Sequence, residues 1–194
     1  MDVWSDYASP HCYLELPELM RLQTLPDVAV TWRPYEMRPD PVPLPRTDDD
    51  GYERDWARTV VPMAAARRHP LRVPRLVPRT RLAAEAAEHA RSQGRFEAMH
   101  VRLFEAYFRH GRDIGLLPVL VDVGLAAGLD GQGLRQALEL GRHTGRVLAG
   151  TRQAQAVGVA SVPAMIVAGR AGQQLVAGSQ TFDALQRVVA AARG

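Results

Sequence analysis

The chain has 194 residues, 46% of them hydrophobic and 23% charged, with a formal net charge of +3. This length suits one domain, or one domain carrying a large insertion, with enough apolar content for a core, so disorder as the main state is excluded; the one cysteine, Cys12, excludes an intramolecular disulfide and a multi-cysteine zinc site. No apolar run is long enough to span a membrane, the start Met1-Asp2-Val3-Trp4 lacks a basic-then-apolar leader, and the basic residues, all arginine, are scattered without interleaved aromatics; a cytoplasmic protein with neither membrane nor nucleic-acid partner is expected.

In chain order, Asp2–Tyr7 reads as a short strand. The sequence Ser9-Pro10-His11-Cys12 follows, and Tyr13, Leu16, Leu19 and Met20 then recur at spacings of three and four. That predicts an amphipathic helix starting near Pro10, where proline fits the first turn, with Pro17 kinking it. Val28–Tyr35 is β-branched and aromatic-rich, a second strand, so residues 1–36 form a β-α-β unit. Residues 37–50, with Pro39, Pro41, Pro43 and Pro45, read as a loop.

Residues 51–157 read as mostly helical. The predicted helices are Ala83–Arg91, one with Phe96, Met99, Leu103, Phe104 and Tyr107 on one face, Leu116–Ala127, Leu134–Leu140 capped by Asp130, and Arg142–Val157. Strands return at Pro163–Ala168 and Gln173–Ala177, joined by the turn Gly169–Gly172 as a hairpin, and a last helix follows Gly178. The order β-α-β, helical block, β-β-α is an α/β fold with a helical insertion.

Several strings together carry a family resemblance. They are the strand before Ser9-Pro10-His11-Cys12, Val3-Trp4-Ser5-Asp6-Tyr7, Val30–Glu36, Leu103–Phe108 with Arg112-Asp113-Ile114, a late Val162-Pro163, and Gly178-Ser179-Gln180. The chain resembles the DsbA/FrnE-like thioredoxin-fold group, which sits with 2-hydroxychromene-2-carboxylate isomerases and kappa-class glutathione transferases. The resemblance implies a thioredoxin-like domain of residues 1–60 and 150–194, interrupted by an all-helical insertion domain of residues 61–149. The relatives include dimers, so a homodimer is among the implied partners.

One departure bears on chemistry. Redox relatives begin the helix Cys-x-x-Cys, and dithiol exchange needs one thiol to attack and another to resolve. Here Ser9 stands at the first position and Cys12 at the second. Serine at that position resembles the isomerases and kappa-class transferases, in which the hydroxyl faces the thiolate of glutathione. The resemblance therefore implies thiol- or glutathione-dependent isomerase- or transferase-like chemistry, with glutathione as co-substrate and no metal. Its catalytic set is Ser9, His11 and Cys12, with Pro10, Val162, Pro163, Ser179, Gln180 and Arg79 binding substrate or glutathione. The alternative is a peptide-binding or chaperone-like module that has lost its redox cysteine.

Each candidate also has a plainer reading. Ser9 is a favoured N-cap on local grounds alone. Cys12 reads as a small core residue. Val162-Pro163 matches the family's cis-proline loop, whose backbone pairs with a peptide ligand. Ser179, read as opening the last helix, matches a position that binds a γ-glutamyl carboxylate; at Gln180, kappa members carry an acid instead. In the run Arg67–Arg81, Arg79 and Arg75 are the candidates to pair an anionic substrate. Tyr7 and Tyr13 are candidates to line the ligand pocket; Trp4, Trp32 and Tyr35 belong to the core. His69, His89, His100, His110 and His143 lack ligand spacing and read as surface.

Overall fold

The computed structural model describes all 194 residues. Its centre is a four-stranded sheet, ordered β2-β1-β3-β4. Strand β1 (Asp2–Ser5) pairs in parallel with β2 (Thr31–Pro34) and antiparallel with β3 (Ala164–Gly169), which forms a hairpin with β4 (Gly172–Ala177). Both first strands are shorter than the sequence suggests. β1 ends at Ser5 because Asp6 turns the chain, its Oδ1 accepting from the Ala8 N–H at 2.8 Å. With β1 starting at Asp2, only Thr31 to Pro34 of the apolar run finds a strand partner.

Helix α1 (Pro10–Gln23) runs through Pro17 without a break. It is buried over Cys12, Tyr13, Leu14, Glu15, Leu16, Leu19 and Leu22, while Met20, expected on the core face, is exposed. Residues 37–49 form the proline-rich loop, and Asp40–Pro41 within it is cis. The helical block follows: α2 (Asp50–Asp55), a π-helical turn (Trp56–Val60), α3 (Val61–Ala66), α4 (Arg81–Ser92), α5 (Phe96–Phe108), α6 (Leu117–Ala126), α7 (Gly131–Glu139) and α8 (Thr144–Ala156). Residues 67–80 are not helical, because Pro70, Pro74 and Pro78 break any continuous ladder of amide donors. Asp130 caps α7 as expected, accepting from the Gln132 and Gly133 N–H groups.

One core of 43 buried residues runs from Val3 and Trp4 on the sheet through Met99 and Phe104 on α5 to Leu185 and Val189 on the last helix, α9 (Phe182–Arg193). Trp4 Nε1–H donates to the Gly150 carbonyl, docking α8 on the sheet. No helix is long and apolar enough to cross a membrane.

One expectation about a single residue changes here. His100 is buried, not on the surface: its Nδ1 lies 2.7 Å from the Tyr7 hydroxyl, and its ring packs on Trp32, Phe96 and Phe104. Tyr7 and Tyr13 are buried in the core, Tyr13 stacked on Phe108, and Tyr7 lines a small cavity with Ser5, Trp32 and His100. An α5 side chain spaced as one stripe with Phe96 and Phe104 is carried inward by that stripe, whatever its polarity.

Candidate functional site

The head of α1 is held by two side chains, Ser9 and Asp6. Ser9 is extended (φ −86°, ψ 114°), and its Oγ accepts the Cys12 N–H at 3.3 Å, so it is the N-cap, with Pro10 in the first turn. Ahead of it, Asp6 is buried and holds three donors. These are the N–H groups of Ala8 and Met37, at 2.8 and 2.7 Å, and the Thr80 hydroxyl at 3.2 Å. Asp6 thereby fixes the turn before α1 to the segments after β2 and before α4.

Long-range contacts complete the corner. The Val162–Pro163 peptide is cis, and the Ser9 hydroxyl donates to the Val162 carbonyl at 3.4 Å. The Pro163 carbonyl accepts from the Gly178 N–H at 2.9 Å. Gly178 has φ +79°, a conformation that glycine adopts without strain, and it turns the chain ahead of the Gln180 backbone that meets α1. The Gln180 N–H donates to Glu15 Oε1 at 2.8 Å. Arg67 closes the group, donating to the Leu14 carbonyl at 2.8 Å and the Gln180 carbonyl at 2.9 Å.

Burial sets the protonation of this corner. The Cys12 thiol is 3% exposed, and burial pushes its pKa up to about 12 against the hydrogen bonds that lower it. It keeps its proton at neutral pH and offers no thiolate nucleophile. His11 is half-buried, and burial, with the Arg67 charge, lowers its pKa, so the neutral imidazole prevails. Glu15 is fully buried, and burial pushes its carboxyl up to about 8.

Of the residues expected in the site, Ser9, Pro10, His11, Cys12, Val162, Pro163, Ser179 and Gln180 come together. Arg79 does not join them. Its guanidinium pairs with Asp40 at 2.9 Å and donates to the Arg38 and Val42 carbonyls, clasping the proline-rich loop. Ser179 does not open the last helix either. Thr181 does, its hydroxyl accepting from the Ala184 N–H, and the Ser179 Oγ is buried with no partner. The Gln180 side chain turns back to the Ala177 and Gly178 carbonyls.

Three residues at the corner escape a reading of the sequence as a set of site positions: Asp6, Glu15 and Arg67. For Asp6 a signal exists, an Asx-type side chain two residues before a backbone N–H at a strand end. Glu15 and Arg67 carry none, since a charged residue on a helix or in an arginine run ordinarily faces water. No three side chains of histidine, cysteine, aspartate or glutamate are grouped to hold a metal ion.

Comparison with known proteins agrees with this fold. Residues 1–190 match the sequence profile of the DSBA-like thioredoxin domain. The chain is 26% identical over 191 residues to the uncharacterized protein YwbO of Bacillus subtilis, covering 96% of this chain and 94% of that one. Its fold superimposes with a TM-score of 0.81 on a probable DsbA oxidoreductase from Streptomyces coelicolor, at 23% identity over 98% of this chain and 88% of that one. The TM-score is 0.77 for 2-hydroxychromene-2-carboxylate isomerase, at 19% identity, covering 98% of this chain and 92% of that one. It is 0.72 for the cytosolic disulfide reductase DsbM from Pseudomonas aeruginosa, at 18% identity with the same coverage, a protein also solved with GSH.

Proposed function

The chain belongs to the DSBA-like thioredoxin family, a family of oxidoreductase fold, and on that premise we propose that it binds a low-molecular-weight thiol of the glutathione type at the head of α1. Its chemistry is isomerase- or transferase-like and not dithiol–disulfide exchange. The observation that carries this reading is the pairing of Ser9 and Cys12. The position of an attacking thiol holds a hydroxyl that caps the helix beside Pro163, and the one thiol of the chain is buried with its proton held.

The head of α1 suits an external thiolate. Aligned peptide dipoles place about half a positive charge there, which favours the anionic form of a thiol set against it. The Ser9 hydroxyl, now given to the Val162 carbonyl over a long 3.4 Å bond, is the donor that turns to the sulfur when a ligand arrives. Neutral His11 is in the form that accepts the proton the thiol loses. The thiolate then adds to an electron-poor carbon of a second substrate; in an isomerisation it leaves again after the loosened bond has rotated. The likeness to an isomerase and to a reductase solved with GSH supports this thiol class.

The test is a calorimetric titration with reduced glutathione near neutral pH. Saturable one-site binding in the millimolar range or tighter is expected, at least about tenfold weaker in Ser9→Ala, the loss of one charge-assisted hydrogen bond. Losing the cap costs about 1 kcal/mol of stability, so the variant's fold is checked by circular dichroism. No saturable binding, or equal binding by Ser9→Ala, overturns the reading. Thiol-independent retention of extended peptides in that case favours the non-catalytic module.

A further inference from the structure

The corner where α1 meets the turn before α9 is already filled by a side chain of the protein itself. Glu15 lies one helical turn beyond His11, is 0% exposed, and its Oε1 takes the Gln180 N–H at 2.8 Å. Its Oε2 and the Ser179 Oγ are buried without a partner. Arg67, the cation acting on Glu15, donates from its two terminal nitrogens to the Leu14 and Gln180 carbonyls. The turn is joined to the Ser9 site through the bond from the Gly178 N–H to the Pro163 carbonyl. A thiol with its sulfur at Ser9 and its tail along Pro163 therefore arrives at Gln180.

Backbone N–H groups just ahead of a helix are ordinary receptors for a carboxylate. Here that receptor is taken. We infer that Glu15 is a specificity-determining residue: it occupies the Gln180 N–H as a built-in carboxyl group, and so selects thiols whose tail is uncharged over thiols that bring a carboxylate to this corner. The inference rests on the thiol reading of Ser9 and narrows its substrate class.

The physics is a competition for one donor. To reach the Gln180 N–H a ligand carboxylate must displace Glu15, which is fully buried and would lose its only hydrogen bond. An uncharged ester or amide tail has no charge that demands the Gln180 N–H, and so need not displace Glu15. Burial keeps Glu15 largely protonated near neutral pH, so the corner offers no anionic charge to attract an ammonium group either.

The experiment compares glutathione with its diethyl ester, which keeps the thiol and the skeleton and removes both carboxylates. By calorimetry the wild type is expected to bind the ester about tenfold or more tightly than glutathione, the scale of one buried polar group left unpaired. Glu15→Ala frees the Gln180 N–H and is expected to narrow that ratio to within about threefold, the free donor being worth a comparable amount to an arriving carboxylate. Glu15→Gln keeps an acceptor on that N–H and is expected to retain the wild-type ratio. Glu15→Ser serves in place of Glu15→Ala should the latter not fold. Equal affinity of the wild type for the two ligands, or an unchanged ratio in a folded Glu15→Ala, overturns the inference and leaves thiol binding at Ser9 standing. Binding of neither ligand overturns both.

Discussion

At Ser9 a single atom, oxygen for sulfur, separates this chain from a Cys-x-x-Cys sequence. The backbone around it is that of a capped helix start beside Pro163, and Cys12 lies three residues on, at the distance in sequence of a resolving thiol. A thiol at the head of α1 would feel the helix dipole and ionise readily, in contrast to the buried Cys12. Ser9→Cys alone is therefore expected to raise insulin reduction, driven by dithiothreitol, at least about tenfold over the wild type, on the scale of a thiol pKa lowered by a unit or more. The double variant Ser9→Cys, Cys12→Ser is expected to stay at the wild-type level. A wild type as fast as Ser9→Cys would contradict the role given to Ser9. The residues at the head of α1 were legible because each is a local feature: a cap, a first-turn proline, a proline opening a strand. Glu15 and Arg67 were not. Their roles arise where residues 67 and 178–180 fold against α1 from far along the chain, and no spacing in the sequence marks that meeting.

Among the elements, length governed what could be read. Helices such as α5 and α7 repeat their apolar pattern over two turns or more, and the sequence places α5 within a residue and α7 within three. The strands are too short to set their own ends; β1 and β2 stop where pairing stops. The start of α9 was misplaced because two hydroxyl residues, Ser179 and Thr181, compete for the cap, and the bond from Gly178 to Pro163 pulls the first of them out of line. Docking of α8 on β2 shows the same dependence on tertiary contact. A Cβ added at Gly150 would lie 2.5 Å from the Pro34 carbonyl oxygen, whereas one at Gly145, on the same helix, meets nothing within 4 Å. Gly150→Ala is expected to destabilise the protein by about 1–3 kcal/mol through overpacking against backbone. Gly145→Ala is expected to be neutral or to stabilise by up to about 1 kcal/mol through helix propensity. Thermal melts of the two variants read the difference directly, and a tolerated Gly150→Ala would mean that α8 does not lie as close to β2 as described.

The whole molecule carries two buried groups that oppose each other in pH. Glu15 holds its proton up to about pH 8 in the folded chain, because burial disfavours its charge, against about 4.3 for an ordinary glutamate. Between those values the folded state binds a proton that the unfolded chain has lost, so stability falls as pH rises through that window. His100 behaves inversely. Burial, with the Arg91 charge, lowers it to about 3, against an ordinary value of about 6.5, so the unfolded chain gains a proton first and stability falls as pH drops below about 6.5. The two slopes cancel over roughly pH 4.3–6.5 and leave Glu15 to act above it. Asp6, which burial also raises, acts in the same direction as Glu15. From pH 6.5 to 8 the Glu15 share amounts to at most about 2 kcal/mol, or roughly 4–8 °C in Tm for a chain of this size. Glu15→Gln cannot ionise, so its Tm is expected to gain on the wild type across pH 6.5–8, the difference levelling off once Glu15 is ionised in the folded protein. Parallel curves for the two proteins over that window would show that Glu15 is not held protonated, and that the corner below His11 carries a charge.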